Sequence, residues 1–73
     1  MAKNLTEVPV NYVGNIQSLV GEELLISRLQ ELGFIKGESI KLTGRTPFGE
    51  PLLVEVRGTV IALRKREALC IQL

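Results

Sequence analysis

The sequence predicts a mainly β domain with one inserted α-helix, a small barrel of about five strands. Three observations carry this. Apolar and polar residues alternate in several short runs, which is the period of a half-buried strand. Only one stretch repeats its apolar residues at helical spacing. Glycines fall within or beside the strand-like runs, at Gly14, Gly44 and Gly58. A sheet that curls around its own core needs bends or bulges at such places.

Taken in order, Asn11 to Leu19 carries Tyr12, Val13, Ile16 and Leu19 around Gly14 and reads as a first strand with a bend. A helix follows from Glu22 to Leu32. Leu25, Leu29 and Leu32 fall in one stripe, flanked by Leu24 and Ile26, with Ser27, Arg28, Gln30 and Glu31 on the polar faces. Gly21 serves as its N-cap, and Glu22 and Glu23 suit the positive end of the helix dipole. Gly33 reads as a left-handed C′ residue that lets Phe34 fold back on Leu29. Ser39 to Arg45 is the second strand, with a bulge or close approach at Gly44. Thr46 to Pro51 is a turn-rich connection. Leu52 to Arg57 and Thr59 to Leu63 are the third and fourth strands, separated by Gly58. Arg64 to Glu67 is one helical turn or a loop. Leu69, Ile71 and Leu73 alternate with Cys70 and Gln72 in a last strand. Laid flat, such a sheet leaves one apolar face wet. Curling buries that face and lets the helix cover an opening, which is an SH3-like small β-barrel.

The 73 residues fit one domain, with 45% hydrophobic and 23% charged residues, a globular balance. Nine Lys and Arg against eight Glu leave a net charge of +1, so no nucleic-acid partner is expected. The chain has no His, no Asp and no Trp. Without His there is no base to activate a Ser or Cys nucleophile. Cys70 and the glutamates do not make a converging metal set, because the adjacent Glu22 and Glu23 point apart. Cys70 itself reads as a buried strand residue rather than a reactive thiol. Gly33 and Gly37 flank Lys36, but they follow a helix instead of opening one, so they are no phosphate loop. No catalytic residue, metal ligand or cofactor is therefore expected, and the chain reads as a binding or regulatory module. No signal-peptide core and no apolar run long enough for a membrane span is visible. A cytoplasmic protein without direct membrane insertion is expected.

Four stretches, Leu5 to Pro9, Arg28 to Ile40, Thr46 to Leu52 and Gly58 to Ala68, stand in unbroken order and together resemble the FeoA family, the small cytosolic component of bacterial ferrous-iron uptake. Leu5 to Pro9 is similar to the family's "LxxhP" opening. Arg28-Leu29-Gln30-Glu31-Leu32-Gly33 with Ile35 to Ile40 resembles "RLxxLGhxxGxxh". Thr46 to Leu52 resembles "APhGDPh", and Gly58 to Ala68 resembles "GxxhALRxxEA" before a closing strand. The same signature occurs in C-terminal SH3-like domains of metal-dependent iron repressors. Three departures stand out. Asn11 replaces a common glycine, Thr46 the usual alanine, and Glu50 the usual aspartate. The turn and cap positions are Asn11, Gly33, Gly37, Gly49 and Pro51. The resemblance implies a partner, a FeoB-type membrane transporter with a GTPase domain, and recruitment to the inner face of the membrane through it.

Three features are candidates for contacting that partner. The basic cluster Arg64-Lys65-Arg66 either docks on an acidic surface or is a solvated connection. Phe48 at a turn tip is either an exposed anchor or folds over the barrel mouth. Leu24 either joins Phe34 or Ile35 in a small exposed patch or belongs to a wide core-facing stripe. An alternative function is a stand-alone SH3-like peptide-binding module, for which Tyr12, Phe34 and Phe48 are few aromatics. Oligomeric state is left open, because an exposed final strand can pair across chains.

Overall fold

The computed structural model describes residues 3–73. The chain begins with a single 3-10 turn, Leu5–Glu7, capped by Asn4, whose side chain accepts from the Thr6 N–H at 2.9 Å. Leu5 and Val8, three apart around this turn, are both buried, which accounts for the two apolar letters of the opening motif. Six strands follow where five were expected: β1 Val13–Asn15, β2 Ser18–Leu19, β3 Ser39–Arg45, β4 Leu52–Val56, β5 Thr59–Leu63 and β6 Ile71–Gln72. Helix α1, Glu23–Glu31, lies between β2 and β3, and a four-residue helix α2, Lys65–Ala68, lies between β5 and β6.

The strands form two antiparallel sheets, one of order β1-β3-β4-β5 and one of β2 with β6. The expected barrel is thus not closed by hydrogen bonds among the described residues. The single first strand expected over Asn11 to Leu19 divides at Ile16–Gln17, not at Gly14. Ile16 is buried, donates to the Glu38 carbonyl at 2.9 Å and accepts from the Gly37 N–H at 2.7 Å. Gln17 already donates to Gln72 at 2.8 Å. The chain changes sheets at this point because its consecutive backbone groups find partners in different sheets.

Between β3 and β4 the register shifts after Leu42↔Val54 to Gly44↔Leu53, so Thr43 is the extra residue of a bulge. β4 and β5 pair without a shift through the two-residue turn Arg57-Gly58, in which both residues have positive φ, 53° and 78°. That is the signature of a type I′ hairpin. The inner faces of β3, β4 and β5 supply Ile40, Leu42, Leu52, Val54, Val56 and Leu63 to one core with Leu5, Ile16, Leu29, Phe34 and Ile71.

Two sequence expectations for α1 change. Its N-cap is Glu22, which makes no side-chain cap, rather than Gly21. Its core-facing residues are Leu25 and Leu29, with only Leu29 fully buried, while Leu32 is the exposed C-cap. The core-facing row continues instead into Phe34. Gly33 has φ 108°, the Phe34 N–H reaches the Leu29 carbonyl at 3.0 Å, and the Gly33 N–H reaches Gln30 at 3.0 Å. These are the two bonds of a Schellman closure, and they fold the wholly buried Phe34 back under the last turn.

The last strand is also shorter than the alternation of Leu69, Ile71 and Leu73 suggests. Leu69 and Cys70 belong to the exit from α2, where Leu69 donates to the Lys65 carbonyl and Cys70 to that of Glu67. Leu69 is therefore exposed while both Cys70 and Ile71 are buried. Gln72 of β6 pairs with Ser18 and also bridges to Asn4, and Leu73 donates to Lys3 at 2.7 Å. The final strand lies between two neighbours and is not an edge.

Candidate partner-binding surface

Arg64 to Glu67, expected as one helical turn or a loop, forms the N-cap and first residues of α2. Four residues give a helix no stability of their own, so its orphan N–H groups need outside acceptors. Glu67 turns back to accept from the Arg64 N–H at 2.7 Å, and Glu50 reaches across from the preceding loop to accept from the Lys65 N–H at 2.8 Å. Both are charge-assisted bonds at a positive helix end. Glu67 is only 7% exposed. Its second oxygen stands 4.0 Å from the Arg28 Nε of α1, a long pair on a largely solvated arginine that adds little.

Two of the three residues that depart from the family pattern, Thr46 and Glu50, act here. Thr46 donates its hydroxyl to the Glu50 carbonyl at 2.5 Å, a bond the usual alanine lacks. Glu50 has the length to reach α2. With the Gly49 N–H on the Thr46 carbonyl at 3.0 Å, the loop from Thr46 to Pro51 is tied to itself and to α2; its Glu50–Pro51 peptide is cis. Its tip carries Phe48, which is 92% exposed and does not fold over the sheet.

Two shallow grooves flank α2. One is lined by Glu50, Pro51, Ala62 and Arg64, and the other by Glu22, Leu24, Leu25, Arg28 and Arg66. The basic cluster is therefore divided. Arg64 lines the groove shared with Glu50 and Pro51 of the Phe48 loop, Arg66 the one shared with the start of α1, and Lys65 is exposed between them. Leu24 is 77% exposed on the first turn of α1. The structure thus brings the Phe48 loop, the basic turn and Leu24 into succession around α2. It does not bring Leu24 to Phe34, which is in the core, and Ile35 lies beyond the opposite end of α1. Of the three aromatics, Tyr12 is half-buried, Phe34 buried and Phe48 exposed.

The turn positions are spread over the molecule. Asn11 has φ 77° and donates to Leu42 at 2.6 Å. Gly37 and Gly49 have φ of 90° and 92°, and Pro51 follows the cis peptide. Gly21 has φ 147°, and a Cβ there would stand 2.8 Å from the Cys70 Sγ, so the closeness of the two segments depends on the missing side chain. The buried Cys70 thiol points to the Arg66 carbonyl at 3.5 Å. Burial, with the carboxylates of Glu67 and Glu22 adding, pushes the thiol above its ordinary pKa. Among the described residues, no three His, Cys, Asp or Glu side chains form a group able to hold a metal ion, and no helix is long and apolar enough to cross a membrane.

Sequence reasoning missed the roles of Glu50 and Glu67. Glu67 stands three residues after Arg64, the spacing of a capping-box glutamate, but Arg64 lacks the Ser or Thr that makes the pattern visible. Nothing local marks Glu50, which is fifteen positions from its donor.

A mainly β fold with one inserted helix, and exposed apolar tips beside a basic turn, defines a small SH3-like domain. Solved structures agree. The FeoA of Stenotrophomonas maltophilia, solved with zinc, is 38% identical over 96% of this chain and 87% of that one, with a TM-score of 0.83. It is described as a procaryotic SH3 domain protein and a proposed bacterial ferrous iron transport activating factor. A FeoA-like protein of Clostridium acetobutylicum is 28% identical over 97% of this chain and 83% of that one, with a TM-score of 0.89. A manganese-dependent transcriptional repressor shares the fold alone, at 14% identity and a TM-score of 0.90, over 99% of this chain and 40% of its own. No curated protein sequence gives a significant match. The family model of the FeoA domain matches residues 3–73, and the chain belongs to the FeoA family.

Proposed function

We propose that this protein is a non-enzymatic accessory and regulatory component of ferrous-iron uptake, acting by contact with the cytosolic side of a FeoB-type membrane transporter. Family membership supports the system. The observation that supports contact as the mode of action is the arrangement around α2, where Phe48 and Leu24 stand in solvent on either side of Arg64, Lys65 and Arg66. An aromatic anchor and an aliphatic anchor beside a basic rim are the composition of a binding patch. The cations steer the approach to an acidic surface, and the apolar tips supply the affinity. The protein then works at the inner face of the membrane through its partner, without inserting into the bilayer.

The test is a calorimetric titration with the cytosolic domain of the transporter from the same organism. Binding is expected, and Phe48→Ala and Leu24→Lys should each weaken it at least tenfold while leaving the fold intact. Charge reversal at Arg64 and Arg66 should slow association and reduce its salt dependence. No binding, or binding indifferent to all four changes, overturns the proposal. Binding of proline-rich peptides instead, with no response to the transporter domain, would favour the peptide-module alternative.

A further inference from the structure

We infer that the free edge of β5 pairs with the β5 of a second copy of this chain, antiparallel and in a register centred on Ile61. β5 is the outer strand of the four-stranded sheet. Val56↔Thr59 closes a two-residue turn and is the hydrogen-bonded pair, so alternation makes Val54↔Ile61 and Leu52↔Leu63 hydrogen-bonded as well. The N–H and C=O groups of Val60 and Ala62 then point away from β4. No other backbone partner takes them among the described residues.

Natural edges are blunted by brevity, a bulge, proline or charge. The opposite edge, β1, is only three residues long, and β6 is covered on both sides. β5 has none of these protections. Its five residues, Thr59-Val60-Ile61-Ala62-Leu63, contain no charge and no proline and run in straight register with β4. Val60 is 55% exposed and Ile61 half-buried, so apolar surface stands on the unpaired strand.

A second copy fits this edge because the edge is its own complement. A two-fold axis at Ile61 sets Val60 opposite Ala62 twice, and each of these pairs exchanges two N–H···O=C bonds. All four outward groups on each strand are satisfied without overhang. Val60 packs beside the partner's Ala62, and the two Ile61 side chains meet across the axis. Two copies at a net charge of +1 barely repel one another. The pairing area of five residues is small, so the dimer is weak and forms toward millimolar concentration. It joins two four-stranded sheets into one of eight strands.

Sedimentation velocity and amide NMR on the tag-free chain, from micromolar to millimolar, test this. The mean mass should rise toward that of a dimer, and the amides of Val60 and Ala62 should shift with concentration and slow in exchange. Val60→Lys, on an exposed position that keeps its N–H, should hold the chain monomeric with an unchanged melting temperature. Ala62→Pro, which deletes an outward N–H, should do the same, and if it fails to fold, Val60→Lys and the amide shifts decide. A monomer throughout, a dimer indifferent to Val60→Lys, or concentration-independent amides at Val60 and Ala62 would overturn the inference.

Discussion

α1 is more than twice as long as α2, yet its beginning is the looser of the two. Glu22 gives it no side-chain cap and Leu24 projects into solvent, whereas the first N–H groups at α2 meet the carboxylates of Glu67 and Glu50. The far ends also differ. α1 closes on a Schellman pair with Phe34 under it, while α2 leaves through Ala68 and Cys70, both buried. Length and amphipathic pattern therefore say little about which helix is firmly held. What counts is whether the orphan groups at each end find partners, and whether a buried side chain sits close by. The looser start of α1 is the end that presents Leu24.

The contrast can be broken most severely at the point where α1 is anchored. Phe34→Ala empties the centre of the core and should cost about 3–5 kcal/mol, a loss near the whole stability of a small domain, read as a collapse of the urea midpoint. Gly33→Val should follow, at about 2 kcal/mol, because a β-branched residue resists positive φ and the closure that places Phe34 depends on it. At α2 the effect is more modest. Glu67→Ala removes a buried acceptor from the Arg64 N–H and should cost about 1–2 kcal/mol, with Glu67→Gln costing less because its amide oxygen still accepts. The opposite sign is expected at Glu22. Glu22→Ser supplies the missing cap and should stabilise by about 0.5–1 kcal/mol in thermal unfolding, bringing the two helix starts closer together.

The smallest effect comes from Cys70, whose thiol feels the carboxylates of Glu67 in α2 and of Glu22 at the start of α1. Its folded pKa is raised, so the protonated thiol is the form the fold favours. The associated stability is fully present below the ordinary thiol value of about 8.5. It is lost as pH rises from there through the folded pKa. Urea midpoints should be flat with respect to this group at neutral pH and decline in alkali, and Cys70→Ala should remove that part of the decline.

The legible parts of the fold were those whose signal is local. The heptad-like spacing of Leu25 and Leu29, the glycine after Leu32, and the alternation in β3 and β4 each lie within about one turn or one strand of the groups they organise. The illegible parts are those where one local pattern fits two conformations, or where the partner is distant along the chain, as Glu50 is from Lys65. The alternation of Leu69, Ile71 and Leu73 gave no sign that α2 holds the first of them, and although Gly33 marked the fold-back of Phe34 on Leu29, the stripe gave no sign that Leu32 would stand exposed. The candidate surface followed the same division. Residue types marked Phe48, Leu24 and the basic cluster as worth placing, but not which of them faced water, since a tip and a lid have the same sequence.

Element types and the residues able to form a core were thus written in the order of the amino acids, because backbone preference and apolar spacing act over a few positions. The passage of the chain between sheets at Ile16, the support of α2 by Glu50 and the bare edge at β5 were not. Each is settled by which backbone group finds which acceptor once the chain has closed on itself, and that pairing exists only in three dimensions.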